Sequence, residues 1–459
     1  MSYAQFIAAK LSRFQAVGFE PETIGGDLFD FQDALTRWAV RVGRCALFED
    51  TGLGKTRQEL AWSQAALDRH GGGGVLMLAP LAVAEQTVEE GERIGIKVRH
   101  VREASALEGI CITNYERVHK FDCSKLAGVV LDESSIIKHH DSRSFAQLTE
   151  TFAHTPYKLC ATATPAPNDW TELGTHAEFL GVCSRAEMLA EFFVHDAAKT
   201  QDWRLKGHAR AAFWEWVSSW AAVVRNPADL GFDGTRYELP WLKVEQHTIK
   251  TDSVPMPGQL FAMEASTLSE RRAARRHTVT TRVRECADLV NATHGPWVVW
   301  CDLNTESEML KAAIDGAIEV RGSQSLDEKE SALNAFRHGK ARVIVTKPSI
   351  AGFGLNWQHC ANMAFVGVTD SYESYYQAVR RCWRFGQTRP VHVHVFSSDL
   401  EGAVVANLKR KEEAAAQMAE EMVAFTAAAV RRNVIGSQRS TNVYDAGQAV
   451  KLPGFVCAA

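Results

Sequence analysis

The sequence predicts an α/β protein of two lobes, each a parallel sheet flanked by helices, with a helical insertion between them. Two observations lead there. Short apolar runs alternate with helical patterns in two separate stretches of the chain. The first run ends in a glycine-rich loop of the kind that holds phosphate at a helix N-terminus. The chain has 459 residues, enough for about three domains of ~150 residues or two large ones, each burying its own core. With 51 Lys+Arg against 55 Asp+Glu the formal net charge is −4. That near balance excludes a polycationic binder, so any nucleic-acid contact has to come from local basic surfaces.

In the first stretch CALF (45–48), VLMLAP (75–80), GICIT (109–113), AGVVLDE (127–133) and YKLCAT (157–162) read as buried strands. Residues 56–69 carry helical spacing between the first two. The second stretch repeats the plan with WVVWC (297–301), AIEV (317–320), ARVIVT (341–346), MAFVG (363–367) and VHVHVF (391–396). The lobes are expected at 30–180 and 285–400. Residues 1–29 then form an N-terminal extension, 181–284 a helical insertion or linker, and 401–459 a C-terminal helix and tail. Within the insertion Phe213, Trp216, Val217, Trp220 and Val224 recur at spacings of three and four, an apolar stripe that packs a helix on the core.

Several classes are excluded. The apolar run 75–84 contains Pro80 and falls well short of the roughly 20 residues a membrane span needs, so no membrane partner is expected. The start, MSYAQFIAAKLSRF, lacks a basic segment followed by a long apolar one and does not read as a secretory signal. Ten cysteines are scattered with no C-x-x-C pair, which argues against a zinc knuckle or a disulfide framework and for a reducing, cytoplasmic compartment.

The loop EDTGLGKT (49–56) sits between a strand and a helical pattern. Thr51, Gly52, Leu53 and Gly54 bring backbone N–H groups onto phosphate oxygens, Lys55 reaches the outer phosphates, and Thr56 holds Mg²⁺. Glu49 stands where the general pattern has its first glycine. Further on, the strand 127–131 ends in DESS (132–135). Adjacent carboxylates at a buried strand end repel one another unless a cation or a water uses them. In a phosphate-loop enzyme Asp132 orients Mg²⁺ and Glu133 polarises the attacking water.

These motifs, with ATATPAPND (161–169), AGFGLNWQ (351–358) and QAVRRCWRFGQTRPV (377–391), make the chain resemble the superfamily 2 helicases, most closely the Snf2-like branch. The ending Q-x-x-x-R-x-x-R-x-G-Q is matched at every defined position, from Gln377 to Gln387. In size the chain is similar to compact Snf2-like helicases carried by bacteriophages. The resemblance spans residues 32 to 391 and implies two RecA-like lobes. It further implies ATP and Mg²⁺ as cofactors, duplex DNA bound without strong sequence specificity, and ATP-driven movement along it.

Carried over residue by residue, the resemblance implies that Gln32 reads adenine, and that Gln377, Arg381 and Arg384 join Lys55, Asp132 and Glu133 in hydrolysis. The spacing of Gln377, Arg381 and Arg384 puts them on one side of a helix. Thr162, Thr164, Gly354 and Asn356 are implied to couple the nucleotide state to lobe movement; for the threonines a structural role stands beside the functional one. Thr113, in CITNYE (111–116), and Thr346 are implied on the nucleic-acid track. The basic run 271–284 adds Arg271 and Arg275, with Arg282 in helical reach, as phosphate contacts. Arg380 stands where the family often has an acid, and DESS lacks the family's common histidine at its fourth position. Two other readings stay open: an RNA-directed helicase of the same superfamily, and a non-hydrolysing ATP-dependent binding switch. Protein partners are not legible.

Overall fold

A computed structural model describes residues 15–80, 83–103, 106–167, 169–195, 203–250, 268–352, 354–367, 371–399 and 402–435. The side chains of 268–277, 402–406, 408, 409 and 414 lie outside that description. In the first lobe α1 (Asp30–Val42) leads into β1 (Arg44–Glu49), and α2 (Lys55–His70) into β2 (Gly74–Ala79). After them come α3 (Val83–Arg93), β3 (Val98–His100), β4 (Gly109–Asn114), β5 (Gly128–Asp132), β6 (Tyr157–Ala161) and α4 (Leu173–Leu180). Every residue of β2 and β5 is buried. Strands covered by helices on both faces leave no side for polar alternation, which is why these read as unbroken apolar runs.

The stretch 181–284 is divided between the two lobes. A hairpin of β7 (Phe193–His195) and β8 (Trp203–Leu205) is antiparallel. Then α5 (Arg210–Trp220) buries Phe213, Trp216, Val217 and Trp220 in the same core as Leu76 and Val129 of the first sheet. The helix stops at Trp220, because Ala221 is extended (φ −128, ψ 135). Val224 therefore leaves the expected helical stripe and lies in β9 (Ala221–Val224), paired with β1; a Val-Val ending suits a pleated strand better than a helix turn. The first sheet is parallel throughout, in the order β3-β4-β2-β5-β6-β1-β9.

The chain then crosses to the second lobe. β10 (Leu242–Ile249) is an edge strand there, and α6 (Leu268–Asn291) packs Val279, Val283, Cys286 and Val290 on the sheet. β11 (Trp297–Cys301), β12 (Ala317–Val320), α7 (Leu326–Arg337), β13 (Val343–Thr346), β14 (Asn362–Val366), α8 (Tyr372–Val379) and β15 (Val391–Ser398) follow. This sheet is also parallel, in the order β10-β15-β14-β11-β13-β12. Both lobes are thus RecA-like, as the sequence predicts.

The last of the described helices, α9 (Gly402–Ile435), returns to the first lobe. Met422 enters the core on one face of the first sheet, and Val430 and Val434 the core on the other. Asn433 Nδ2 donates to the Ser218 carbonyl at 2.9 Å. Among the described residues nine cysteines are free, and no helix is long and apolar enough to cross a membrane.

Candidate nucleotide site between the lobes

β1 delivers the chain into the loop at Glu49, and α2 begins at Lys55 with no capping side chain among the described residues. Its first N–H groups and the positive end of its dipole thus face the loop. Gly52 (φ 95°) and Gly54 (φ 86°) both occupy the left-handed region. A Cβ on Gly54 would lie 2.2 Å from Gln32 Nε2, and one on Gly52 would lie 2.8 Å from Phe385 of the other lobe. Lys55 Nζ donates to the Glu49 and Asp50 carbonyls at 2.8 and 3.2 Å, folding over the loop, with Thr56 half-buried beside it. Gln32, expected to read adenine, spends its amide on the backbone. Its Nε2 donates to the Leu53 carbonyl at 2.7 Å and its Oε1 accepts from Phe29 N–H at 3.0 Å.

Asp132 and Glu133 stand at the end of β5, both nearly buried. Glu133 (φ 53°, ψ 53°) is the one non-glycine residue with positive φ among the described residues. Such a backbone costs on the order of 1–3 kcal/mol and persists only where its surroundings enforce it. Part of the enforcement is visible: Tyr115 Oη donates to the Asp132 carbonyl at 2.6 Å, and the Thr162 hydroxyl donates to Glu133 Oε2 at 3.4 Å.

Burial, then the Glu133 charge, pushes the Asp132 carboxyl up to about 7, against Lys55 and Arg381. Burial likewise raises Glu49 to about 7. Glu59, one turn along α2 from Lys55, is raised well above the carboxylate range by burial and by Asp132. Neither Glu59 carboxyl oxygen has a hydrogen-bond partner among the described residues.

The second lobe brings its cations to the same place. Arg381 Nε and Nη2 donate to the Gln377 carbonyl and Oε1, both at 2.8 Å, and Arg381 Nη1 donates to the Leu355 carbonyl at 3.2 Å. Arg384 Nη1 donates to the same Leu355 carbonyl at 3.1 Å, while its buried Nε has no hydrogen-bond partner among the described residues. Burial, with Arg381 and Arg380 beside it, pushes Arg384 down to about 9. Burial also lowers Arg381, opposed by Glu133 and Asp132. Crowded, desolvated guanidinium groups of this kind call for an anion between them.

Gln377, Arg381 and Arg384 do not share one helix, as their spacing suggests. α8 ends at Val379, and the two arginines sit in the turns that follow. Gln387 fixes those turns by donating its amide to the Gln358 and Cys360 carbonyls, both at 2.9 Å. Gln377 Nε2 in turn donates to Thr164 Oγ1 at 3.2 Å, and Thr164 N–H donates to Thr162 Oγ1 at 3.1 Å. One chain of contacts therefore runs from Glu133 through Thr162, Thr164 and Gln377 to Arg381. Gly354 (φ 72°) abuts Val83 of the first lobe, and Asn356 Oδ1 is buried without a hydrogen-bond partner among the described residues.

Further residues here were given no role by the sequence. Arg380 Nη2 donates to Asp50 Oδ1 at 2.6 Å and Arg380 Nε to Thr51 Oγ1, while Tyr376 Oη donates to Asp50 Oδ1 at 2.9 Å. Lys138, just past DESS, pairs with Glu373 of the second lobe. Buried His176 meets the Ser134 hydroxyl at 3.1 Å. The departure at Arg380 from the family's common acid was the one signal available. A cleft of about 500 Å³ opens beside Glu133, lined also by Pro80, Tyr115, Lys138, Lys329 and Glu373.

The expected nucleic-acid contacts fare differently. Thr113 and Thr346 are fully buried at the ends of central strands, and Thr346 donates to the Val320 carbonyl at 3.1 Å; neither presents its hydroxyl to a strand in solution. Arg282 is fully buried against Glu306 at 2.8 Å and cannot join a surface patch. The side chains of Arg271 and Arg275 lie outside the described residues.

The fold and site define a class: a two-lobed RecA-like protein whose cleft gathers buried carboxylates from one lobe and guanidinium groups from the other. Residues 282–386 match the model of the helicase conserved C-terminal domain. Among solved structures, the chain is similar to S. cerevisiae Dbp5 bound to RNA and ADP BeF3, with a TM-score of 0.52 at 11% identity over 86% of this chain and 93% of that one. A single-residue variant of the same yeast protein, also bound to RNA and ADP BeF3, gives a TM-score of 0.51 at 11% identity over 83% and 89%. The Sulfolobus solfataricus SWI2/SNF2 ATPase core in complex with dsDNA gives 0.41 at 18% identity over 92% and 99%. No curated protein sequence matches the chain.

Proposed function

We propose that the chain is a superfamily 2 helicase or translocase of the Snf2-like type, which hydrolyses ATP to move along duplex DNA. The observation that carries this reading is the contact chain from Glu133 to Arg381, which ties the acidic strand end of one lobe to the arginine pair of the other. The helicase C-terminal domain match supports the same class.

The residues fit a polyphosphate with a divalent cation. Glycine-enforced backbone at 52 and 54, an uncapped helix start and Lys55 suit the phosphates. Asp132 with Thr56 would hold Mg²⁺, with the unpartnered Glu59 carboxyl nearby as a further polar group. Bound Mg²⁺ supplies charge neutralisation on the phosphate oxygens. Glu133 orients a water and takes its proton, held at its angle by Thr162. Arg381 and Arg384 stabilise negative charge building on the phosphoryl group. Because they come from the opposite lobe, turnover depends on closure.

The test is ATP turnover with no polynucleotide, single-stranded DNA, duplex DNA or RNA, paired with triplex-displacement and strand-separation assays. Stimulation by duplex DNA with triplex displacement is expected. RNA-selective stimulation would transfer the reading to an RNA-directed helicase, the ligand class held by Dbp5 on this fold. Absence of turnover in all four conditions would leave an ATP-dependent binding switch.

A further inference from the structure

We propose that Glu245, His247 and His394 form a binding site for one divalent transition metal, zinc by its ligand chemistry, on the edge of the second sheet. It shares no residue with the interlobe site. Parallel pairing sets Glu245 opposite His394 and His247 opposite Phe396. Residues 245 and 247, two apart on β10, point to the same face of the sheet, and the register brings His394 between them.

The three ligand atoms lie within 4.8 Å of one another. His247 Nε2 and His394 Nδ1 are 3.0 Å apart, and Glu245 Oε2 is 3.7 Å from His394 Nδ1. In a tetrahedral site with Zn–N of about 2.0–2.1 Å, two ligand nitrogens stand about 3.3 Å apart. The imidazoles therefore need to open by only a few tenths of an ångström. As they stand, two ring nitrogens face each other and can share only a single proton. A metal would use both lone pairs.

The surroundings hold the ligands in place. His247 stacks on Phe396 at 4.5 Å between ring centroids, and His394 leans on Trp297 at 5.6 Å; Phe396 and Trp297 are both buried. Lys243 pairs with Glu245 Oε1 at 2.6 Å, which leaves Oε2 for the imidazole pair. Such outer partners orient ligands and set their affinity. Two imidazoles and a carboxylate suit zinc rather than Mg²⁺ or Ca²⁺, which prefer all-oxygen sites. The ion would join β10, the strand that enters the second lobe from the first, to β15.

The test titrates chelator-stripped full-length protein with Zn²⁺ and with Co²⁺. One Zn²⁺ per chain is expected, together with a visible tetrahedral Co²⁺ spectrum free of thiolate charge-transfer bands and bleached by Zn²⁺. His247→Ala and Glu245→Gln, on partly exposed side chains, should each weaken uptake about tenfold or more with unchanged circular dichroism. Zn²⁺ uptake that is equal in wild type and His247→Ala, or that does not saturate, would overturn the site and leave a histidine–histidine hydrogen bond.

Discussion

Glu133 combines two properties that stability alone does not reward: a left-handed backbone on a residue with a Cβ, and a carboxylate beside that of Asp132. Strain and like-charge crowding at one residue mark a site held ready for something else. Glu133→Gln should lower ATP turnover by about 10²–10⁴-fold while a fluorescent ATP analogue still binds; unchanged turnover would remove Glu133 from the chemistry. That Lys55, Asp132, Glu133, Arg381 and Arg384 meet in one cleft was legible, because they stand in short motifs whose order resembles a family pattern. Arg380, Lys138 and Glu59 were not, since each matters only through a neighbour that folding brings from elsewhere. Thr113 and Thr346 show the reverse: a motif position can end as a strand residue turned inward.

At the scale of elements, the ends of β1 and β5 and the start of α2 bring together Glu49, Asp132 and Glu59, all with raised carboxyl pKa values. The folded state keeps protons that the unfolded chain releases at about pH 4. The resulting stability is full below that pH and is lost as pH rises through about 7, where Asp132 and Glu49 titrate. Without nucleotide or Mg²⁺, the thermal midpoint should fall between about pH 5 and pH 8, and Glu59→Gln should raise it at pH 8 by about 2–4 °C. Differential scanning calorimetry across that range checks both; a flat profile would count against the crowding. The strands of both sheets were legible as apolar runs. β3, β9 and β10 were not, because β3 is three residues long with a single apolar one, β9 follows a tryptophan-rich helix without a turn signal and β10 is a largely exposed edge strand with polar residues on it.

At the scale of the molecule, salt bridges lace the lobes together: Arg102 with Glu330, Arg337 with Glu89, Lys138 with Glu373, and Arg380 with Asp50. Arg380 is the most enclosed, braced over Tyr376 and Trp383 at 5.6 and 5.1 Å. Leaving the half-buried Asp50 without its partner is costly. Arg380→Ala should therefore broaden the interlobe distance distribution seen by single-molecule fluorescence and cut turnover about tenfold. The exchange Asp50→Arg with Arg380→Asp should recover part of both, and failure to recover would show that Arg380 acts through something other than this pair. The two-lobe plan was readable from the repeated strand pattern, but which lobe each connecting segment joins was not, because apolar periodicity identifies a buried face and not its partner.

The return of α9 to the first lobe has a consequence for synthesis. On the ribosome, the first sheet emerges early, yet the helix that supplies Met422, Val430 and Val434 to its two cores leaves the tunnel only after the whole second lobe. Until then the nascent first lobe carries bare apolar surface beside α5 and β9, a surface on which chaperones or neighbouring chains can act. The second lobe is thus an insertion within the first, and arrival of α9 is the step that completes the two cores of the first.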